Sequence, residues 1–171
     1  MKAIRNMAFT ALLTLGTFSL ITYTSCNKDE CKDIVCQNNG TCVDGTCNCP
    51  TGYEGNNCET KSNAKFVGTW TASETCGSDV TPPYQVTITA DPNDATKLLI
   101  SNLGNYGCKI GSTDTDIIFE GTVDGNKLSI IDIKCNTEMT ANGTYSNGSV
   151  TIEYLASHTL GSDKCTVTLT K

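Results

Sequence analysis

The chain has 171 residues, with eighteen acidic against twelve basic side chains, a formal net charge of −6 and eleven cysteines. This acidic balance excludes nucleic acid and anionic headgroups as partners, because both need clustered Lys and Arg. Arg5 is the only arginine, which also removes sites that capture carboxylate or phosphate with a guanidinium fork.

Residues 1–25 are predicted to be an export signal. Lys2 and Arg5 precede an apolar run over 7–21 that is too short to span a bilayer comfortably. The run ends in Thr-Tyr-Thr-Ser before Cys26, which resembles the cleavage box of Bacteroidetes-type bacterial lipoproteins. That resemblance implies that Cys26 becomes the first mature residue and carries the lipid. The alternative is ordinary secretory cleavage, which would leave Cys26 as a free thiol or a framework cysteine.

Two further observations bear on the anchor. One lipidated cysteine, six in a cluster and four downstream account for all eleven, so no cysteine is left over. The residues after Cys26, 27–30, resemble the acidic tag that sends such lipoproteins to the outer face of the outer membrane; a solvated charged spacer is the alternative. The mature chain without Lys2 and Arg5 has ten basic against eighteen acidic side chains, a formal charge of −8.

Six cysteines lie within residues 31–58, separated by four, five, four, one and eight residues. The few apolar residues of this segment bury too little area to fold it, so we expect crosslinks to stabilise it. A bridge that closes a loop of about ten residues contributes on the order of 3 kcal/mol. Six cysteines allow 15 pairings, and spacing alone does not choose among them.

The cysteine spacing, with Asn-Gly-Thr before Cys42 and the ending Cys-Pro-Thr-Gly-Tyr-Glu-Gly-Asn-Asn-Cys over 49–58, resembles an EGF-like domain. The resemblance implies three disulfides, Cys31–Cys42, Cys36–Cys47 and Cys49–Cys58. A metal-thiolate cluster is the alternative, but the chain carries an export signal and only one distant His, and the Cys-x-Cys step matches zinc spacing poorly.

Some EGF-like domains bind calcium before the first cysteine and after the third. Asn27, Asp29, Glu30 and Asp44 fall near those positions, so they are the candidate calcium ligands; a tethering spacer is the alternative. Calcium needs six to eight oxygen ligands. No other cofactor is predicted.

Residues 59–65 are predicted to be a polar linker, and a second domain to occupy 66–171. Apolar residues of this domain recur with period 2, which predicts about eight antiparallel strands forming a barrel or a two-sheet sandwich. Asp124-Gly125 and Asn147-Gly148 lie between such runs and predict type I′ hairpins.

The first predicted strand, 66–70, resembles the Gly-x-Trp opening of lipocalins and related calycin barrels, in which the Trp closes the barrel base. The resemblance assigns Gly68 and Trp70 to that base; the alternative is a single core Trp in an unrelated sheet. Two family features are missing, because no Tyr follows Asp114 and no C-terminal Arg is available to stack on Trp70.

Barrel closure would pair the first strand with the last. That pairing brings Cys76 near Cys165 and leaves Cys108 with Cys135.

Catalytic motifs are scarce, so no enzyme is predicted. His158 is the only histidine and is predicted to lie in an exposed loop, and the carboxylates are scattered. We therefore predict a monomeric, lipid-anchored binding lipoprotein on the bacterial cell surface. In the first version an EGF-like spacer presents a barrel that contacts a protein or glycan; in the alternative the barrel holds a small apolar ligand. A hydrolase is a remote third.

Overall fold

The computed structural model describes residues 30–110 and 113–171. The predicted signal, the predicted lipid site Cys26 and the calcium candidates Asn27 and Asp29 lie outside these residues, so those predictions stand as made. Within the described residues, no helix has the length and apolarity needed to cross a membrane.

Cysteines hold the segment 31–58 together. Strands β1 (Thr41–Val43) and β2 (Thr46–Asn48) form a hairpin, and β3 (Tyr53–Glu54) pairs with β4 (Thr60–Lys61). Three disulfides cross the segment, and they join the pairs that the EGF-like resemblance implied: Cys31–Cys42, Cys36–Cys47 and Cys49–Cys58.

The rest of the chain is a closed antiparallel barrel of eight strands, so the barrel prediction is confirmed and the sandwich alternative is wrong. Inward and outward residues alternate along the strands, as the period of 2 indicated, except in the second barrel strand, where a bulge leaves Pro82 and Pro83 both exposed. The barrel strands in chain order are β5 (Gly68–Cys76), β6 (Asp79–Ala90), β7 (Lys97–Ser101), β10 (Ile118–Asp124), β11 (Lys127–Lys134), β12 (Thr137–Ser146), β13 (Ser149–His158) and β14 (Gly161–Thr170).

Strands β14 and β5 close the barrel, with Cys165 directly opposite Cys76 in the register. A disulfide joins these two residues. A second disulfide joins Cys108 to Cys135 and ties the small hairpin of β8 (Gly107–Ile110) and β9 (Thr113–Asp116) to the β11–β12 turn. Both bridges lie at one end of the barrel, called the distal end here, and both join the pairs expected from closure.

The hairpin turns follow backbone chemistry. Asn147 and Gly148 both have positive φ, as a type I′ turn requires. At the other predicted turn the two central residues are Gly125 and Asn126, one position later than expected, and only Gly125 has positive φ. Glycine tolerates that conformation better than Asp124, so the strand extends through Asp124 before the chain turns.

Trp70 closes the opposite end of the barrel, the base. Its indole is buried and donates a hydrogen bond to the Phe66 carbonyl oxygen at 2.7 Å. Lys171 lies against this ring: its ammonium is 4.3 Å from the Trp70 ring centroid and donates to the Val67 carbonyl oxygen. A lysine can make this cation–π contact as an arginine does.

Residues 59–65 were predicted to be a polar linker, but they are ordered and partly buried. They contain β4 and a 3₁₀ helix, Ser62–Phe66, in which Ser62, Asn63 and Phe66 are buried. The Asn63 amide donates to the Lys97 carbonyl oxygen at 3.0 Å. The polar side chains of this segment suggested exposure to solvent, but the Asn63 side chain instead donates hydrogen bonds to backbone carbonyl oxygens of the barrel base.

The disulfide-rich segment packs directly on this base. Lys65 donates to Glu54 and to Asn126, each at 2.7 Å, and so links the segment to the β10–β11 turn. Gly52, with φ of +91°, lies so close to Thr96 that an added Cβ would come within 2.8 Å of its methyl group. The absence of a side chain at Gly52 therefore permits this close contact with the barrel.

Side chains fill the barrel interior. Large residues from every barrel strand are fully buried there, among them Trp70, Ile88, Leu98, Phe119, Leu128, Met139, Ile152 and Leu169. Gly121 points into this core, where an added Cβ would lie 2.8 Å from Leu128 and 3.0 Å from Ile100. The centre of the barrel therefore has no room for even one more methyl group at this position.

Replacing Gly121 with Ala tests this packing. We expect Gly121→Ala to lower the free energy of unfolding by about 1–3 kcal/mol, because the methyl group must displace Leu128 or Ile100. Urea unfolding measures the change. Gly107→Ala is the control, since its Cβ would meet nothing closer than 4.0 Å; equal effects in the two variants would contradict a filled interior.

The joint between the two segments is tested by Asn63→Ala. Loss of its hydrogen bonds to the Asp94 and Lys97 carbonyl oxygens should lower the free energy of unfolding by about 1–2 kcal/mol. It should also speed trypsin cleavage after Lys61 and Lys65. Asn56→Ala, at an exposed position, is the control, and unchanged cleavage in Asn63→Ala would mean that the joint does not depend on this side chain.

Candidate functional site

A buried carboxyl group lies inside the distal end of the barrel. Glu74 continues the inward face of β5 and is 4% exposed. Tyr154 donates to its Oε2 at 2.9 Å, Tyr84 donates to the same oxygen at 2.5 Å, and Thr81 donates to Oε1 at 3.3 Å. A buried carboxyl group is costly unless it is hydrogen-bonded, and three hydroxyl groups from two other strands meet that need here.

The phenols around Glu74 keep their protons. Burial raises the pKa of Tyr154 and of Tyr84 well above the usual value, and the neighbouring Glu74 raises both further. Both tyrosines therefore act as hydrogen-bond donors over the whole physiological pH range. The cluster is a fully occupied polar network inside the barrel, and its members hold each other in place.

The segment between β7 and β10 covers this cluster from outside. It contains a second 3₁₀ turn, Leu103–Asn105, in which Leu103 is fully buried. The Gly104 amide donates to the Tyr84 hydroxyl at 3.0 Å, and Tyr106 packs edge-on against Tyr154 with ring centroids 6.5 Å apart. The end at which a small ligand would enter an open barrel is thus closed by the chain itself.

A second polar group lies at the distal rim. Asp163 accepts hydrogen bonds from Tyr106 at 2.8 Å and from His158 Nε2 at 3.1 Å. His158 Nδ1 accepts the Leu160 amide, so the proton of a neutral imidazole resides on Nε2. The hydrogen bonds from His158 and then Tyr106 hold the pKa of Asp163 below its usual value.

This geometry corrects the prediction for His158. The residue was expected in an exposed loop, but it is the last residue of β13 and its side chain is only 24% exposed. A shallow hollow of about 400 Å³ lies beside it, lined by Ile133, Asn136, Glu138, Ser157, His158 and Thr159. The run Ala-Ser-His-Thr carries no signal for the partner Asp163, because the β13–β14 register brings the two together.

Of the four predicted calcium ligands, only Glu30 and Asp44 lie in the described part of the chain. Glu30 and Asp44 are both exposed, and Glu30 lies beside the Asp44-Gly45 turn. Within 30–110 and 113–171, the one place where three His, Cys, Asp or Glu ligand atoms converge is Glu74 with Cys76 and Cys165. Those two cysteines are joined in a disulfide.

The accessible apolar surface lies outside the barrel. Eight large apolar side chains of the described residues are exposed, and all are aliphatic: Val35, Val43, Val80, Ile118, Ile131, Ile133, Leu155 and Leu160. The sequence carried a signal for part of this set, because Ile131 and Ile133 have the outward parity of β11 while Leu128 and Ile130 have the inward parity. The run was too uniformly apolar for its two faces to be told apart without the register.

Comparison with known proteins gives two solved structures of limited similarity to this chain. No protein-family model matches the chain. A redesigned β-barrel is 15% identical, with 64% of this chain and 94% of that chain covered and a TM-score of 0.46. A protein from Bacteroides fragilis NCTC 9343, proposed to be an outer membrane protein, is 18% identical, with coverage of 64% and 52% and a TM-score of 0.41. This chain thus spans about half the length of the second protein, and neither likeness carries an argument about fold or function.

The tyrosine cluster predicts a loss of stability at alkaline pH. The native state holds the protons of Tyr84, Tyr106 and Tyr154 more tightly than the unfolded chain does, because burial raises the pKa of each. Their contribution is complete below the unfolded pKa of about 10 and falls as pH rises above it.

The Tyr154→Phe variant isolates one phenol. We expect it to be less stable by about 1 kcal/mol at neutral pH, because its hydrogen bond to Glu74 is lost. Above pH 10 its free energy of unfolding should fall less steeply than that of the parent, by about 1.4 kcal/mol per pH unit. Urea unfolding at several pH values measures both, and parallel pH profiles would contradict the assignment.

Proposed function

We propose that this protein is a lipid-anchored binding lipoprotein of the bacterial outer membrane, in which the EGF-like segment presents the barrel to a protein partner. The anchor rests on the resemblance around Cys26 and on the acidic residues that follow it. The contact with a partner rests on the barrel. The supporting observation is a filled interior together with exposed aliphatic side chains on the outside.

The chemistry of the exposed side chains favours a protein over a glycan. Sugar rings pack on flat aromatic faces, which combine an apolar surface with polar edges. In the described residues no aromatic side chain is among the exposed large apolar groups; Tyr84, Tyr106 and Tyr145 are half-buried and pack on the core. Branched aliphatic side chains instead suit the apolar centre of a protein interface.

The joint between segment and barrel supports a presenting role. Lys65, Asn63 and Gly52 place the EGF-like segment on the base of the barrel. A lipid at Cys26 would lie four residues before the first described residue, on the side of this segment. The distal end and the barrel wall would then point away from the membrane.

The small-ligand alternative receives no support from the interior. An apolar ligand needs a cavity of several hundred cubic ångströms, whereas the centre is occupied by buried side chains and the distal end is covered by Leu103 and Tyr106. The hollows with described linings lie on the outside of the molecule. We further propose that the protein is not an enzyme. The buried carboxyl group of Glu74 already accepts hydrogen bonds from three hydroxyl groups of the chain, so its oxygens do not face a substrate.

Photocrosslinking on living cells tests this proposal. A photoreactive amino acid replaces Leu160 at the distal rim, Ile131 on the barrel wall, or Val43 in the EGF-like segment, all exposed positions. We expect protein adducts from the barrel positions and none from Val43, because the barrel is the presented part. Adducts only from Val43, or adducts carrying glycan without protein, would contradict the proposal.

The same cells test the anchor. Cys26→Ala should move the protein from the membrane fraction to the soluble exported fraction and abolish the adducts. External protease should remove the parent protein from intact cells. Membrane retention of Cys26→Ala would contradict lipid attachment at this residue without affecting the crosslinking result for the parent.

A further inference from the structure

The pairing of β10 with β11 ends early, and this leaves a notch in the barrel wall. β10 pairs with β7 from Ile118 to Thr122 but with β11 only from Gly121 to Asp124. β11 pairs with β12 along its whole length, Lys127–Lys134. Toward the distal end, residues 118–120 of β10 therefore pair only with β7, and residues 131–134 of β11 pair only with β12.

Asp132 occupies the notch. Its Oδ2 accepts the Glu120 amide at 2.9 Å, and its Oδ1 accepts the Ile133 amide at 2.8 Å. The two amides thus donate to a side-chain carboxylate where a complete ladder would offer carbonyl oxygens. A charged side chain in this position prevents a foreign strand from pairing with an open sheet edge.

Three isoleucines surround the notch on the outer face. Ile118 is 50% exposed, Ile131 is 83% exposed and Ile133 is 67% exposed. We call them the isoleucine patch. A groove of about 280 Å³ adjoins the patch and is lined by Lys97, Glu120, Gly121, Thr122, Ser129 and Ile131. Exposed isoleucines beside an open sheet edge are an aggregation hazard, which natural proteins avoid unless the surface has a use.

The charges around the patch are mainly negative. The Lys134 ammonium lies 3.6 Å from a carboxylate oxygen of Glu120 and 3.6 Å from one of Asp132, so it forms ion pairs with both. Glu138 is exposed and lies directly opposite Ile133 in the β11–β12 register. Lys97, at the groove, is the other nearby cation, so three carboxylates face two ammonium groups.

We propose that the isoleucine patch is the docking surface for a protein segment that carries aliphatic side chains flanked by lysine or arginine. The aliphatic side chains cover Ile118, Ile131 and Ile133, and a basic side chain pairs with Glu120 or Glu138. This inference rests on the proposed function and deepens it, since it names the surface and the partner's chemistry. Asp132 confines the contact to side chains by keeping the strand amides occupied.

A second copy of this chain fits the patch less well. An isologous contact would bring the same carboxylates of two copies face to face, and like charges oppose association across an interface. A partner with basic side chains gains from the same charges, and the formal charge of −6 on the whole chain attracts it from a distance.

Nuclear magnetic resonance of isoleucine methyl groups in the full chain tests the inference. The probe is a peptide of alternating valine and lysine, and its counterpart replaces each lysine with glutamate. We expect the lysine peptide to shift the methyl signals of the patch while the buried Ile100 and Ile152 stay in place. The glutamate peptide should leave the patch signals unchanged.

Substitutions of exposed side chains measure how much each contact contributes to the affinity for the lysine peptide. The double variant Ile131→Ser with Ile133→Ser should weaken lysine-peptide binding about tenfold or more, because two apolar contacts are lost. Glu120→Gln should weaken it about twofold to fivefold, as expected for an exposed ion pair. Val43→Ser, at an exposed aliphatic position outside the barrel, is the control and should bind like the parent.

Four results would overturn the inference: no shift with the lysine peptide, equal shifts with both peptides, unchanged affinity of the double variant, or patch shifts that grow with protein concentration alone. The last would identify a second copy as the occupant. If cells give barrel adducts while the patch signals do not move, the proposed function stands and this inference fails. If the patch binds the lysine peptide and cells give no adducts, the proposed function fails and the patch chemistry stands.

Discussion

The pairing of β14 with β5 is the constraint on which the rest of the structure depends. It joins residues almost a hundred positions apart and converts an open meander into a closed barrel. Once the sheet is closed, the alternate residues of all eight strands face one another and must fill a common interior. The Cys76–Cys165 disulfide crosslinks the closing pair and restricts the unfolded chain over a large loop.

The two ends of the barrel are held by different chemistry. At the base, Trp70 is buried between Phe66 and Lys171, and the disulfide-rich segment packs below it through hydrogen bonds and an ion pair. At the distal end, the carboxyl group of Glu74 accepts hydrogen bonds from three hydroxyl groups, and two disulfides crosslink the chain. The interior is filled and both ends are closed, so the outer surface is the accessible surface of this domain.

Two local predictions, for residues 59–65 and for His158, were wrong for one shared reason: each considered a residue apart from its partners in space. Residues 59–65 are polar, yet Asn63 is buried and donates to the Asp94 and Lys97 carbonyl oxygens of the barrel. His158 follows small polar residues, yet the β13–β14 register places it against Asp163. Glu74 has no sequence signal as a buried residue other than its parity on β5, and the hydroxyl groups that donate to it come from β6 and β13.

The sequence by itself determined the local and covalent features of this protein. Cysteine spacing indicated the disulfide-rich segment, the period of 2 indicated the strands, and Asn147-Gly148 indicated its hairpin, because each depends on residues close together in the chain. Tertiary structure alone decided that the interior is filled, that the joint is buried, and that Ile131 and Ile133 flank an open stretch of wall. These features depend on how strands far apart in sequence are registered, and a periodic pattern leaves that register undetermined.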